Sequence, residues 1–125
     1  MSRMQSNASV SLAEPDEIVE LSTLYDFYGA LLKENHRMIF EDYVWNNLSL
    51  GEIAAERQIT RQGVYDVVKR CRIRLREYED KLQLVHKFEQ TKERLQKIES
   101  IAQSAEDTKA AEAITKLAEE IYDMI

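Results

Sequence analysis

The sequence predicts an all-α protein, and three observations carry this prediction. Apolar residues recur at helical spacing along most of the 125-residue chain. Glycine occurs three times and proline once, so the chain has few of the turn-forming residues that a fold with many strands requires. Charged residues make up 32% of the chain, a share typical of helical proteins. At this length we expect one domain, or one small domain with an appended arm.

The N-terminal part of the chain predicts a polar extension followed by two helices. Residues 1–13 are polar, small and without a period, so we expect a disordered N-terminal extension. Pro15 suits the first position of a helix, and the acidic residues that follow favour its positive end. The helical spacing of apolar residues breaks at "KEN" (33–35), where Asn35 is expected to cap a second helix. That helix is expected to end near the asparagine pair at 46–47.

Two closely spaced helices follow, and capping residues mark their starts. The stretch "SLGE" is a capping box, with Ser49 at the N-cap and Glu52 three residues on. This helix ends early, at "RQIT", where Thr60 is a good N-cap for the next one. Two helices joined by about three residues, the second of them basic, predict a helix-turn-helix domain over residues 14–80.

The residue types around the turn fit this motif. Ala54 supplies the small side chain that a close helix crossing requires, and Ile59 is expected to fill the angle between the two helices. Gln58 stands where glycine is common because the backbone turns left-handed there, which should cost about 1 kcal/mol. This cost favours a turn that is wider than usual.

Positive charge is concentrated in one segment of an acidic chain. The chain has 17 basic and 23 acidic side chains, a net charge of −6. Residues 57–76 carry +6, whereas residues 1–56 carry −7 and residues 77–125 carry −5. A cationic block between two anionic ones is explained if one helix meets phosphate and the rest of the molecule stays away from it.

The basic residues lie on the fourth helix, opposite its apolar side. At about 100° per residue, the valines, Cys71 and Leu75 centre on one side of this helix, and the polar and basic residues fall on the other. Such a face fits a DNA major groove, where arginine and lysine meet phosphates or guanine edges and a glutamine amide reads adenine. The candidate nucleic-acid-binding residues are Arg61, Gln62, Tyr65, Lys69, Arg70, Arg72 and Arg76.

An apolar stripe continues beyond the basic segment. The fourth helix need not end before about residue 102, although Lys92 interrupts the stripe. New capping residues at 104–108 predict a last short amphipathic helix. So small a domain cannot cover such a stripe by itself. We therefore interpret residues 81–125 as a C-terminal helical extension for dimerisation or partner binding, and we expect a homodimer.

Other signals exclude several function classes. There is no catalytic constellation, no metal-ligand spacing and no phosphate loop, so we expect neither an enzyme nor a metal or cofactor. A single cysteine, Cys71, excludes an internal disulfide, which favours a reduced, cytoplasmic setting. Because Cys71 falls on the inner helical face, we expect its thiol to be buried. No apolar run approaches the roughly 20 residues that a membrane helix needs, so we expect no membrane insertion. We expect the aromatic group mainly in the core rather than on a base-stacking platform, with some of it at an interface, since Phe27 and Tyr28 lie on different sides of one helix. The group comprises Tyr25, Phe27, Tyr28, Tyr43 and Trp45.

Four stretches carry a resemblance to a known family: "LYDFYGALL" at 24–32, "SLGEIAAE" at 49–56, "RQGVYDVVKR" at 61–70 and "EYEDKLQL" at 77–84. In this order they resemble the YlxM family of small bacterial proteins. The family has a helix-turn-helix similar to region 4 of sigma factors and is linked, mostly by gene neighbourhood, to the signal recognition particle pathway. The resemblance covers about residues 18–100. It implies a regulator that touches the signal recognition particle GTPase, its RNA, or DNA.

Three functions therefore remain open. The first is a non-enzymatic, dimeric regulator that binds DNA or RNA through the helix at 60–80. The second is a protein adaptor that docks on the GTPase or another partner without binding nucleic acid, since helix-turn-helix folds also serve as docking modules. The third is a detached sigma-factor region that contacts promoter DNA as part of a polymerase. Affinity at several salt concentrations separates the first two, because phosphate contacts release counterions.

Overall fold

A computed structural model of the protein describes residues 15–125, and within that range it contains α-helices and no strand. The predicted all-α class is therefore confirmed, while the extension predicted at 1–13 lies outside the described residues. The described residues up to Leu82 form one compact unit, and Gln83–Ile125 form a second. The helices are α1 (Pro15–Tyr28), α2 (Glu34–Val44), α3 (Leu50–Arg57), α4 (Arg61–Leu82), α5 (Leu84–Gln103) and α6 (Thr108–Met124), and a 3₁₀ turn (Gly29–Leu31) follows α1.

The core of the first unit is built on one stripe of α4. Val64, Val68, Cys71 and Leu75 are spaced three or four residues apart and are almost completely buried. The helices α1, α2 and α3 all pack against α4 and cover this stripe. Each fully buried aliphatic side chain contributes about 1.5–3 kcal/mol relative to its exposed state. The orientation of α4 is therefore fixed by its apolar side.

Aromatic side chains fill the space between α1 and α2. Tyr25, Phe40 and Tyr43 are buried, and the rings of Tyr25 and Phe40 lie 5.7 Å apart between centroids. Trp45 packs edge-on against Tyr25 at 5.2 Å, although 53% of Trp45 is exposed. The prediction that the aromatic group belongs mainly to the core is confirmed for Tyr25, Tyr28 and Tyr43, whereas Trp45 lies outside the core.

A partly buried ion pair joins α2 to α3. Asp42 is only 7% exposed, and its Oδ2 accepts hydrogen bonds from Arg57 Nε at 3.1 Å and Nη2 at 2.9 Å. Its other oxygen, Oδ1, accepts a hydrogen bond from Asn46 Nδ2 at 3.1 Å. Both carboxylate oxygens thus have partners, which offsets the cost of removing the charge from water.

Two sequence-based expectations about helix ends are wrong. The second helix starts at Glu34 rather than after Asn35, because the extended backbone of Lys33 (φ −63°, ψ 142°) already makes the change of direction. The fourth helix does not run to residue 102, because Gln83 adopts a left-handed conformation (φ 55°, ψ 31°). A right-handed helix cannot continue through such a residue, so α4 ends at Leu82 and α5 begins at Leu84.

The second unit is a helical hairpin of α5 and α6. Asp107 caps α6 by accepting hydrogen bonds from the backbone N–H groups of Lys109 and Ala110, both at 3.1 Å, which confirms the predicted cap in this region. The helices close over Leu95, Ala102 and Ala118, all of them buried. Many larger apolar residues of this unit stay exposed. We call six of those on its two helices the apolar surface: Ile98, Ile101, Ile114, Leu117, Ile121 and Met124.

The Asp42–Arg57 pair generates a stability prediction. Replacing Asp42 by alanine leaves the guanidinium of Arg57 without its carboxylate and removes three hydrogen bonds. We expect the free energy of unfolding to fall by about 1–3 kcal/mol in urea titrations at neutral pH. Asp26→Ala, an exposed acid-to-alanine change on α1, is the control and should change stability by less than about 0.5 kcal/mol. Equal effects of the two variants would contradict a role for the pair.

Candidate nucleic-acid interface

The helix before the turn is fixed at its start by the predicted capping box. Ser49 Oγ accepts a hydrogen bond from the Glu52 backbone N–H at 3.1 Å, and Glu52 Oε1 accepts one from the Ser49 N–H at 2.8 Å. This confirms the assignment made from the "SLGE" stretch. Leu50, Ile53 and Ala54 form the buried side of this short helix, so α3 is held at its start and along one face.

The turn itself has three residues, 58–60, between the end of α3 and the start of α4. Gln58 adopts the left-handed conformation (φ 58°, ψ 42°) that the sequence position demands, and the carbonyl of Ala54 accepts the backbone N–H groups of Gln58 and Ile59. The expected widening of the turn is wrong, because glutamine takes the left-handed conformation instead. Ile59 is 41% exposed, so its predicted place between the helices is also wrong. The side chains that α3 and α4 bury there are those of Ile53, Ala54 and Val64.

The predicted cap of α4 is confirmed. Thr60 Oγ1 accepts a hydrogen bond from the Gly63 backbone N–H at 2.9 Å, and α4 begins at the next residue, Arg61. The start and direction of α4 are therefore fixed relative to the turn. A helix-turn-helix uses this end of its second helix to reach base edges.

Most of the seven candidate residues lie on the outward side of α4. Arg61, Gln62, Lys69 and Arg70 are exposed and Tyr65 is half-buried. Gln62 Nε2 donates a hydrogen bond to Asp66 Oδ1 at 3.1 Å, which orients its amide across the outer face. Neither Lys69 nor Arg70 makes an ion pair with a carboxylate among residues 15–125. We call Arg61, Gln62, Tyr65, Lys69 and Arg70 the outer group.

Arg72 and Arg76 have a different environment. Arg76 Nη2 lies 3.2 Å from Glu17 Oε2 and 3.0 Å from Glu20 Oε1, and Arg72 Nη1 lies 3.5 Å from Glu17 Oε2. Both arginines therefore contact the acidic first half of α1, on one flank of α4. These pairs join elements more than 50 residues apart. These long-range ion pairs could not be predicted from the spacing of residues within α4.

The described residues offer little for catalysis. Burial raises the pKa of the Cys71 thiol to about 11, so it is protonated at neutral pH and is a poor nucleophile. Within residues 15–125 no three histidine, cysteine or acidic side chains are arranged to hold a metal ion. No helix in the same range is long and apolar enough to cross a membrane.

Comparison with known sequences places this geometry in a family. Residues 16–118 match the UPF0122 family, described as "Putative helix-turn-helix protein, YlxM / p13 like". The chain belongs to this family. The resemblance to YlxM proteins seen in the sequence is thereby confirmed, and the UPF0122 description agrees with the capped helices and three-residue turn described above.

Curated UPF0122 relatives come from several bacteria. The UPF0122 protein TTE1463 of Caldanaerobacter subterraneus is 51% identical over 75 residues, which span 60% of this chain and 64% of the relative. A UPF0122 protein of Acetivibrio thermocellus is 51% identical over 77 residues, 62% of this chain and 66% of the relative. UPF0122 protein BH2485 of Halalkalibacterium halodurans is 45% identical over 78 residues, 62% of this chain and 72% of the relative. No solved structure matches the chain.

The left-handed residue in the turn generates a second stability prediction. Glycine at position 58 would adopt φ 58° without a steric cost, so we expect Gln58→Gly to stabilise the first unit by about 0.5–1 kcal/mol. Gln62→Gly makes the same chemical change at a helical residue of α4 and should destabilise it by up to about 1 kcal/mol. Urea midpoints measure both. Destabilisation by Gln58→Gly would mean that the glutamine side chain contributes more than its backbone costs.

Proposed function

We propose that this UPF0122 protein is a non-enzymatic regulator that binds DNA or RNA through the outer group of α4, in the bacterial cytoplasm. The observation that carries the proposal is the exposed, cationic outer face of a helix that directly follows a three-residue turn. Lys69 and Arg70 meet no carboxylate among the described residues and suit phosphates, and Gln62 and Tyr65 lie in the first turns, where base edges are reached.

Arg72 and Arg76 lie at the edge of the proposed binding surface. Phosphate groups would have to compete there with Glu17 and Glu20, whose carboxylates already neutralise the two guanidinium groups. Exposed ion pairs are weak, so the competition is possible but reduces the gain from each contact. We therefore expect the outer group to supply more of the phosphate contacts than these two arginines.

The resemblance to YlxM proteins supports a target in the signal recognition particle pathway, either its RNA or its GTPase. A protein adaptor that docks on this GTPase without nucleic acid is the second candidate function. The carboxylates of Glu17 and Glu20 favour it, because they reduce the positive field beside α4. Contact with a polymerase, as in a detached sigma-factor region, has no further support beyond the similarity of fold.

Salt dependence of binding tests the outer group. Fluorescence anisotropy of duplex DNA and of structured RNA, titrated at several salt concentrations, gives the slope of log affinity against log salt. We expect Lys69→Gln with Arg70→Gln to reduce this slope by the equivalent of about two phosphate contacts. Each phosphate contact that is removed changes the slope by about 0.7–0.9. The matched control, Arg72→Gln with Arg76→Gln, removes two charges that are already paired and should reduce it by less than one contact.

Two outcomes would contradict this assignment. If the slope fell equally in both double variants, phosphate would contact Arg72 and Arg76 as much as the outer group. No measurable binding of the wild-type protein to either nucleic acid at low salt would refute the nucleic-acid function and leave the adaptor. In that case both double variants should be compared in a pull-down with the signal recognition particle GTPase.

We also propose that the second unit mediates homodimerisation. Within this unit, the apolar surface contains Leu117 at 58% exposed and Ile101 at 70% exposed, so the hairpin leaves large aliphatic side chains in water. Patches of this kind mark protein contacts. A second copy of the same hairpin would cover the surface and complete a four-helix arrangement, which would also bring two copies of α4 into one molecule.

The mass in solution tests the dimer. We expect light scattering to give about twice the 14.6 kDa chain mass. Leu117→Glu should shift the protein toward a monomer at low micromolar concentration, because it buries a charge in the contact. Lys116→Gln on the same helix changes the net charge by the same amount without touching the apolar surface, and it should remain dimeric. A monomeric wild-type protein across the micromolar range would refute the proposal.

A further inference from the structure

A cavity of about 290 Å³ lies beside α4 in the first unit. At about 100° per residue, its lining residues Arg70 and Arg74 lie on the side of α4 roughly opposite Arg72 and Arg76, which pair with Glu17. It is bordered by the end of the 3₁₀ turn, the start of α2 and the middle of α4. We call it the α2–α4 cavity. Its size is near the lower end of the range for small-molecule sites, about 300–1,000 Å³.

The rim of the α2–α4 cavity is cationic. Lys33, Arg70 and Arg74 line it and are exposed, and no carboxylate is among its lining residues in the described part of the chain. None of the three makes an ion pair with an acid of residues 15–125. Three positive charges within one concave surface repel each other unless an anion lies between them.

Neutral side chains form the rest of the wall. Leu31, Leu32 and Tyr78 line the cavity, and Cys71, only 1% exposed, forms its floor. The Tyr78 ring is held against Tyr28, with centroids 5.9 Å apart. A site with a cationic rim and an apolar, partly aromatic wall matches a ligand that has an anionic head and a flat ring.

The start of α2 contributes Lys33 and His36 to the cavity, whereas Glu34, the acid of its first turn, is not among the lining residues. Lys33 occupies the N-cap position without a side-chain hydrogen bond to the helix, and both Lys33 and His36 line the cavity. Helix N-termini carry a partial positive charge and favour anions. Burial lowers the pKa of His36, and the charges of Lys33 and Arg70 lower it further, which agrees with a positive field at this place.

We propose that the α2–α4 cavity binds a small phosphate monoester of the mononucleotide class. Its phosphate would lie between Lys33, Arg70 and Arg74, and its base would lie against the apolar wall. A monoester carries a charge of about −1.5 to −2 at neutral pH, whereas a nucleic-acid phosphodiester carries about −1. Three cations around one small cavity match the more highly charged group. This site goes beyond the proposed function, because its ligand is a small molecule.

The two histidines of the chain provide the readout. In ¹H–¹³C NMR spectra of the intact protein at low salt, we expect added AMP to shift the His36 ring signals and to raise the pKa of His36, because the anion offsets the nearby positive charges. His86, in the second unit, is the internal control and should not shift. Inorganic phosphate should bind at least about tenfold more weakly than AMP, because it lacks the base, and adenosine should cause no saturable shift.

Variants of the rim separate this site from the outer group. Arg74→Gln and Lys33→Gln should each weaken AMP binding by about tenfold, through loss of one charge-assisted contact. Arg94→Gln removes one cation outside the cavity and should bind AMP as the wild type does. Far-UV circular dichroism checks that each variant is folded; the exposed positions of both rim residues favour this.

The proposal is overturned if the His36 signals do not respond to AMP, if adenosine or inorganic phosphate binds as tightly as AMP, or if the rim variants bind AMP like Arg94→Gln. None of these measurements includes nucleic acid. A protein that binds AMP at His36 but neither DNA nor RNA would support the cavity site while refuting the proposed function. A protein that binds DNA or RNA but shows no response of His36 to AMP would refute the cavity site and leave the proposed function standing.

Discussion

Burial of one stripe of α4 is the constraint on which the rest of the first unit depends. Three other helices pack over this stripe and remove its four side chains from water, those of Val64, Val68, Cys71 and Leu75. Once this stripe points inward, the helical period sends the cations of the same segment to the outside and to the two flanks. The capped, three-residue turn then fixes where α4 begins. Core packing and the position of the candidate interface are therefore set by a single helix.

Acidic residues of α1 divide the cations of α4 into groups with different chemistry. Arg72 and Arg76 lie beside Glu17 and Glu20, so that flank is close to neutral. On the opposite flank, Arg70 and Arg74 share a cavity with Lys33 and no acid of the described residues lines it. Among residues 15–125, Glu17 and Glu20 of α1 thus pair with cations on one flank of α4. The positive field is left on the outer face and on the cavity side.

Local signals predicted the motif, whereas long-range contacts could not be predicted from the sequence. The capping box at Ser49, the cap at Thr60 and the left-handed position of Gln58 each involve residues within five positions, so the sequence contains all the partners. The pairing of Arg76 with Glu17 spans 59 residues and depends on how α1 packs. The break at Gln83 was missed for another reason: the apolar stripe continues on both sides of it, and glutamine is not a residue that signals a left-handed backbone.

Arg70 is common to the two proposed sites, and this has a thermodynamic consequence. It belongs to the outer group of α4 and also lines the α2–α4 cavity. A phosphate held in the cavity would neutralise part of the charge that Arg70 offers to nucleic acid, so each ligand would weaken the binding of the other. Linkage requires the two effects to be equal in size when expressed as changes in affinity. Because the outer group keeps Lys69 and Arg61, the coupling would reduce the affinity for nucleic acid by the equivalent of about one phosphate contact rather than abolish it. A small phosphate monoester would then act as a graded inhibitor of nucleic-acid binding, with no change of fold required.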